Sequence, residues 1–567
     1  MAEASGQSLL ARLDEWQRAR PDSVVVTDYD VHASRAIGSP VVRSSVTARE
    51  LWDTVLAVAA SLRSRGIREG DAIAVQLPTW HEYLAAHLAA YAVGAVTVPI
   101  SPIYRARDLG RQLALSGAKA LVIPGAYGNF DYVGMAAGLR AEVPSLQLVV
   151  AVGNEPSSGA VLWRELVADG GTESCCADRE AIARGEFVRP VEAFMLLNFT
   201  SGTTGVPKGV MHSCATVCAA VGAGIDRMRL SRDDVLFVAV TLGHAGGFLN
   251  GIFMPLLLQA KVVYMDLWDA GVGLAIIERE RVTYGPMMPT YLFDLVRHPG
   301  FGRADIGSWR KARVSGGAIS RAMMASLQER LPALRLFPGW GMSETLYATC
   351  GGPDDPPAKR NQTEGRPLAG VAIEIRDGSF LQRLGVDVDG EIVVRAPSVM
   401  LGYYRQDELT RAAFTDDGWL KTGDLGHLDA DGYLVMVGRS KDIIVRGGEN
   451  VPAVEVENLL MEHAKVASAV VIGVADPRLG EKVCVVVECK NLADPLTFDE
   501  MRSYLVAREL TKHFIPEHLV LVDSLPKTPV GKVKKHEVRA LVAGKLAPVN
   551  REALNKSPPC AFETKTE

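Results

Sequence analysis

Ten consecutive residues carry the densest chemistry in the chain: Thr200-Ser201-Gly202-Thr203-Thr204-Gly205-Val206-Pro207-Lys208-Gly209. Three glycines let the backbone turn tightly and approach an anion closely. The hydroxyls of Thr200, Ser201, Thr203 and Thr204, with the free N–H groups of such a loop, can donate to phosphate oxygens. Lys208 adds a positive charge. The apolar run from Ala193 to Leu197 precedes the loop, so it leaves a strand. A Walker A loop would end in Gly-Lys-Ser/Thr, whereas Lys208 stands between Pro207 and Gly209. The pattern therefore points to polyphosphate binding of another kind.

Further segments follow in order. Ser315-Gly316-Gly317-Ala318 comes after a short apolar strand, and Trp340-Gly341-Met342-Ser343-Glu344-Thr345 offers an aromatic face, a hydroxyl and a carboxylate. Gly418 to Gly426 contains Asp424 behind Gly423, where a carboxylate could accept from two hydroxyls. Gly438-Arg439-Ser440-Lys441-Asp442 leads to Gly447-Gly448-Glu449-Asn450, and Pro526 to Val533 contains Lys532.

Together with the phosphate loop, these segments resemble the adenylate-forming superfamily of acyl-CoA synthetases, peptide-synthetase adenylation domains and firefly-type luciferases. The resemblance spans about Trp80 to Lys532. It implies that Thr200 to Gly205 and Lys208 contact the ATP phosphates and that Gly316, Gly317 and Ala318 border the adenine and the acyl pocket. It makes Trp340 a stacking partner for adenine within Trp340-Gly341-Met342, Ser343 a phosphate contact and Glu344 the ligand of Mg²⁺. Asp424 and Arg439 would hold the ribose, Lys441 would be a hinge, and Gly448 would border a channel for the thiol of coenzyme A. Lys532 would bridge the attacking carboxylate and the α-phosphate. Two positions depart from the usual Tyr-Gly-x-Thr-Glu: Trp340 keeps a π-face and Ser343 keeps a hydroxyl.

The chemistry so implied needs no catalytic dyad. A carboxylate requires no deprotonation, and the barrier lies in bringing two anions together, so charge neutralisation and positioning dominate. Pyrophosphate leaves, acyl-AMP remains, and a thiol attacks it next. The thiol is that of coenzyme A or, in a competing reading, of a carrier protein; an enzyme that stops at acyl-AMP, an oxidative luciferase-like branch and an inactive nucleotide-binding homologue are the other competing readings. A homodimer is left open.

The segment Val235 to Asn250 should include the acyl-pocket wall, with His244 matching a gating histidine of the family. It contains no acidic residue that could pair a substrate ammonium, and an unpaired ammonium in a dry pocket is costly. The expected substrate is a neutral acyl chain, not an α-amino acid. Gly243, Gly246, Gly247 and Gly251 suggest room for bulk. The stretches Val75 to Glu82 and Pro102 to Arg105 look like the subgroup named cyclohexanecarboxylate-CoA ligases, which leans toward cyclic or polycyclic aliphatic acids.

The elements that must hold these residues alternate between strand-like and helix-like. Ile73 to Gln76, Ala95 to Pro99, Leu121 to Pro124 and Leu148 to Val152 are short apolar strands, and Leu84 to Val93 is an alanine-rich helix. The rhythm continues through Val235 to Val240, Lys261 to Tyr264 and Ala312 to Val314. It predicts an α/β chain of parallel-rich sheets covered by helices. After Ile373, Ile392 to Arg395 and Tyr433 to Val437 predict a β-rich subdomain. Strands at Ala469 to Val474 and Val483 to Glu488 and a helix at Phe498 to Glu509 predict a small mobile α+β domain. The expected divisions are 1–440, 441–547 and a disordered tail over 548–567.

Bulk properties exclude other classes. A net charge of −5 over 567 residues gives no nucleic-acid footprint. Eight dilute cysteines do not form a disulfide framework. Their free thiols, with no leader and no membrane span, predict a cytoplasmic protein.

Overall fold

The computed structural model describes residues 8–545 except 154–158, 201–206, 316–320, 440–443, 447–448, 452, 477–478, 509, 511–513 and 528–532. The chain divides at Ser440/Lys441 into two compact units.

The first unit is built on two large sheets. One has the strand order Arg335–Pro338, Lys311–Val314, Tyr284–Met287, Leu236–Val238, Val262–Met265, Val24–Asp30, Val41–Thr47. All neighbours in it are parallel except the last pair, an antiparallel hairpin at its edge. The other runs Gly402–Tyr403, Lys208–Ser213, Phe194–Thr200, Val96–Pro99, Ala72–Val75, Ala120–Pro124, Leu148–Val152, Val161–Leu162. Its central strands read Ala-Ile-Ala-Val and Val-Thr-Val-Pro and are buried at every position. Parallel strands covered on both faces require such unbroken runs.

Helix His81–Ala92 lies in the same core. Every residue from Glu82 to Ala92 is buried, as expected of a helix that is apolar on all sides. Helix Ala48–Ser64 is more conventional. Thr47 and Glu50 form its capping box, and its apolar face packs into the same cluster. An antiparallel four-stranded sheet, Ala372–Arg376, Gly390–Arg395, Leu420–Leu428 and Leu434–Arg439, makes the β-rich subdomain.

The second unit has its own five-stranded sheet. Strand Gly480–Cys489 pairs with Val466–Asp476, Ile444–Arg446 and His518–Val522. Helices Ala453–Met461 and Phe498–Ala507 supply core residues on one face, while helix Lys535–Lys545 adds Val538 and Val542 to a separate cluster. Mixed parallel and antiparallel pairing with helices matches the expected α/β and α+β classes. Among the described residues, no helix is long and apolar enough to cross a membrane, and the seven described cysteines are all free.

Candidate active site

The described flank of the phosphate loop is an antiparallel pair of strands. Thr200 ends one and Lys208 begins the other, and the two stand directly opposite each other. Residues 201–207 join them. Ser201, Gly202, Thr203, Thr204 and Gly205 lie outside the described residues, as do Gly316, Gly317, Ala318, Lys441, Gly448, Lys532 and the 548–567 tail.

The segment carrying Ser343 and Glu344 is fastened to this strand pair. Asn198 Nδ2 donates to Ser343 Oγ at 3.2 Å, and His212 Nε2 donates to the Ser343 carbonyl at 2.7 Å. A carbonyl only accepts, so the Nε2 proton is required. Nδ1 is then free to accept from Thr216 Oγ1 at 3.1 Å in the neutral ring. Burial drives the His212 pKa down to about 4, against the opposing pull of the Ser343 carbonyl. His212 is thus an uncharged strut that sets the height of the Ser343-Glu344 backbone.

Glu344 is held from the other side. Its Oε1 accepts from the Tyr403 hydroxyl at 2.9 Å. Burial, and then the charge of Glu344, push the Tyr403 pKa up. Lys208 Nζ lies 5.1 Å from the Tyr403 ring centroid, a cation–π distance. Glu344 therefore shares one aromatic partner with Lys208, at the mouth of the strand pair that carries Thr200. One carboxylate with neighbouring hydroxyls suits Mg²⁺, which keeps several waters and binds through one or two carboxylates plus phosphates. The residues present fit such an ion arriving with a nucleotide.

The second cluster centres on Asp424, which is 3% exposed. Trp340 Nε1 donates to its Oδ2 at 2.9 Å, and Arg439 Nε pairs with its Oδ1 at 2.9 Å. Asp424 and Arg439 are cross-strand partners, and Gly423 takes φ +69° immediately before, which favours glycine. Trp340 packs among Ile373, Ile375 and Leu434. Gly341 has Leu346 O only 1.8 Å from where a Cβ would stand, and the Met342 N–H donates to Thr345 Oγ1 at 3.1 Å. These contacts fold 340–346 into a tight turn that presents Trp340 and Glu344 together.

The expected acyl wall needs a correction in its reasoning. His244 is an exposed helix N-cap whose Nδ1 accepts from Gly246 N–H at 3.3 Å. The room expected at four glycines is open only at Gly246, whose nearest neighbour to a Cβ is 3.8 Å away. At Gly243 a Cβ would meet Ile100 C at 2.4 Å, at Gly247 Thr241 O at 1.8 Å, and at Gly251 Leu242 Cδ2 at 2.4 Å. Those three exist for close packing. Behind them Asn250 donates to Gly246 O and to the Tyr347 hydroxyl, and accepts from Tyr284 at 2.9 Å.

Residues that motif reading missed are Asn198, His212 and Tyr403. The alternation of the 208–213 strand places His212 on the face of Lys208, which was a usable signal. Nothing local marks Tyr403. Among the described residues, Asp28, His81 and Glu82 form a group with metal-ligand spacing. Arg43 already fills it, donating to both Glu82 oxygens at 2.8 and 2.7 Å and to Asp28 at 3.1 Å. It is an ion-pair network rather than a metal centre.

Known proteins align with most of the chain. Residues 13–404 match the sequence model of the AMP-binding enzyme family, and residues 455–532 match that of the AMP-binding enzyme C-terminal domain. A medium-chain fatty-acid–CoA ligase of Escherichia coli K12 is 32% identical over 93% of this chain and 89% of its own length. A Mycobacterium tuberculosis H37Rv CoA ligase, named for a 7a-methyl-1,5-dioxo-octahydro-1H-inden-4-yl propanoyl group, is 34% identical over 87% and 94%. The structure of the amide bond synthetase McbA from Marinactinospora thermotolerans superposes with TM-score 0.80 at 30% identity, covering 94% of this chain and all of the other.

Proposed function

Since this chain belongs to the AMP-binding enzyme family, we propose that it activates a carboxylic acid with ATP and passes the acyl group to coenzyme A. The observation that carries this reading is the convergence of Thr200, Lys208, Ser343 and Glu344 around one strand pair, held by Asn198, His212 and Tyr403.

In the first step a carboxylate oxygen attacks the α-phosphorus, and the bond to pyrophosphate breaks. Lys208 and Lys532 offset the negative charge of the two reactants, and the hydroxyls of Thr200, Ser201, Thr203 and Thr204 orient the phosphates. Glu344 would hold Mg²⁺, which would screen the triphosphate. Asp424, aligned by Trp340 and Arg439, accepts from the ribose hydroxyls. In the second step the sulfur of coenzyme A attacks the acyl carbon and AMP leaves. Lys441 serves as the hinge that exchanges Lys532 for the channel bordered by Gly448, so one fold performs two half-reactions.

The acid is a bulky one, cyclic or polycyclic, without an ammonium group. The M. tuberculosis relative's bicyclic acyl group supports this, as does the open space at Gly246. The test is ATP–pyrophosphate exchange across a library of cyclic and linear acids, followed by coenzyme A addition. Exchange with cyclic acids and formation of a thioester are expected; exchange with amino acids alone would contradict the reading. Lys532→Ala should abolish exchange yet spare thioester formation from supplied acyl-AMP. If both half-reactions survive, Lys532 has been wrongly placed. The likeness to an amide bond synthetase favours a second acceptor, an amine. Replacing coenzyme A by an amine or by a holo carrier protein separates these acceptors.

A further inference from the structure

Arg313 lies on strand Lys311–Val314, and its neighbours Ala312 and Val314 face the opposite way into an apolar cluster. It is 3% exposed. Its Nη1 donates to Ser315 Oγ at 2.7 Å, and its Cζ lies 3.9 Å from the Tyr347 ring centroid. Its Nε has no partner. Among the described residues no carboxylate pairs with it. Asp234 and Asp355 act on its neighbours Tyr284 and Cys350, but both are committed elsewhere. Asp234 accepts from Thr283 and Lys311, and Asp355 accepts from Arg227 at 2.6 and 2.8 Å, from the Gly352 N–H and from the Tyr433 hydroxyl.

A buried guanidinium without an anion is costly, and here only neutral groups offset its desolvation: the Ser315 hydroxyl, the Cys350 thiol and the Tyr347 ring. The surroundings nevertheless make room for it. A Cβ at Gly339 would stand 2.7 Å from Nη2 and 3.0 Å from Cζ. The amide of Asn250 is engaged with Gly246, Tyr347 and Tyr284. Arg313 also sits toward the carboxyl end of a parallel strand, the end at which open parallel sheets take their ligands. It precedes Ser315 by two residues.

We infer that Arg313 reads a hydrogen-bond acceptor oxygen, of a carbonyl or a carboxylate, carried by the acid at a position remote from the carboxyl group being activated. This rests on the adenylation reading above. It narrows the substrate class from a bulky acid to an oxygenated one, and it makes Arg313 a specificity residue rather than a participant in phosphoryl chemistry.

The full-length protein is assayed by pyrophosphate exchange with matched acids whose remote position is a methylene, a ketone or a carboxylate, on several ring skeletons. The ketone or the carboxylate should exceed the methylene in kcat/KM by ~100-fold or more, since a site built to hydrogen-bond a substrate group rejects its absence strongly. Whichever of the two wins identifies the source of the oxygen. Arg313→Met should collapse the ratio to within about tenfold, chiefly by slowing the oxygenated acid. Gly339→Ala, which displaces the guanidinium without removing it, should lower the ratio as well. Equal rates for methylene and oxygenated acids in the unaltered protein overturn the inference without need of any variant. A ratio unchanged in an active Arg313→Met enzyme overturns it too. Exchange with no acid at all overturns adenylation and this assignment together, whereas indifferent exchange overturns the assignment alone.

Discussion

At the scale of single residues, Asp424 shows how this site is prepared before any nucleotide arrives. One carboxylate oxygen is fixed by the Trp340 indole and the other by Arg439. Each oxygen keeps a second lone pair, so the group can still accept from two hydroxyls. The departure from Tyr to Trp at position 340 has a physical consequence, because only an indole places an N–H at this depth beside its core packing. Trp340→Phe keeps an aromatic face and leaves Oδ2 of a buried carboxylate without its donor. Removing one partner of a buried hydrogen bond costs about 1–3 kcal/mol, which corresponds to about 5- to 150-fold in affinity. The expected outcome is a KM for ATP raised by about that factor with kcat little changed, read by pyrophosphate exchange at varied ATP. A KM that does not move would show that the indole has no part in orienting Asp424.

At the scale of elements, the helical stretch from Ala245 to Leu258 separates two roles that look alike in sequence. Gly246 and Gly247 are adjacent, yet a Cβ meets nothing closer than 3.8 Å at the first and a carbonyl oxygen at 1.8 Å at the second. Gly246→Ala should be neutral or stabilising by about 0.5–1 kcal/mol, through a better helix former. Gly247→Ala should destabilise by about 2 kcal/mol or more, because backbone must shift. Thermal unfolding of the two variants side by side decides this, and equal melting points would contradict the packing argument. The same contrast marks the limit of what sequence could reveal. Strands such as Ala72–Val75 and Leu148–Val152 were legible because burial on both faces demands unbroken apolar runs. The hairpin Val24–Asp30 and Val41–Thr47 escaped, since Arg43, Ser44 and Ser45 dilute its pattern and its place in the sheet is set by pairing with distant Val262–Met265. The phosphate-loop flank, Glu344 and Asp424 were legible as motifs. Tyr403, His212 and the Trp340–Asp424 bond were not, because each depends on contacts between residues far apart in the chain.

At the scale of the whole molecule, each unit carries its own apolar core. Acid stability of the first unit can therefore be argued from its own buried groups. His87 is enclosed in helix His81–Ala92, its Nε2 has no partner, and its ring meets Phe253 edge-on at 5.8 Å. Burial alone lowers its pKa to about 4, the same level as His212. Both folded values lie below the ordinary 6.5. The unfolded chain therefore binds protons that the native state refuses, and stability falls as pH drops from about 6.5 toward 4. Between pH 7 and pH 5 the loss is on the order of 2 kcal/mol for each histidine. Asp266 acts in the opposite sense, because burial raises its pKa to about 6 and the native state protonates first. A comparison between variants cancels that term. His87→Leu removes one refused proton and one orphaned polar atom, so its urea midpoint should be higher at pH 7 and should fall less on acidification to pH 5 than that of the unaltered protein. Parallel acid limbs in the two proteins would mean that His87 is not the neutral, buried group its surroundings require.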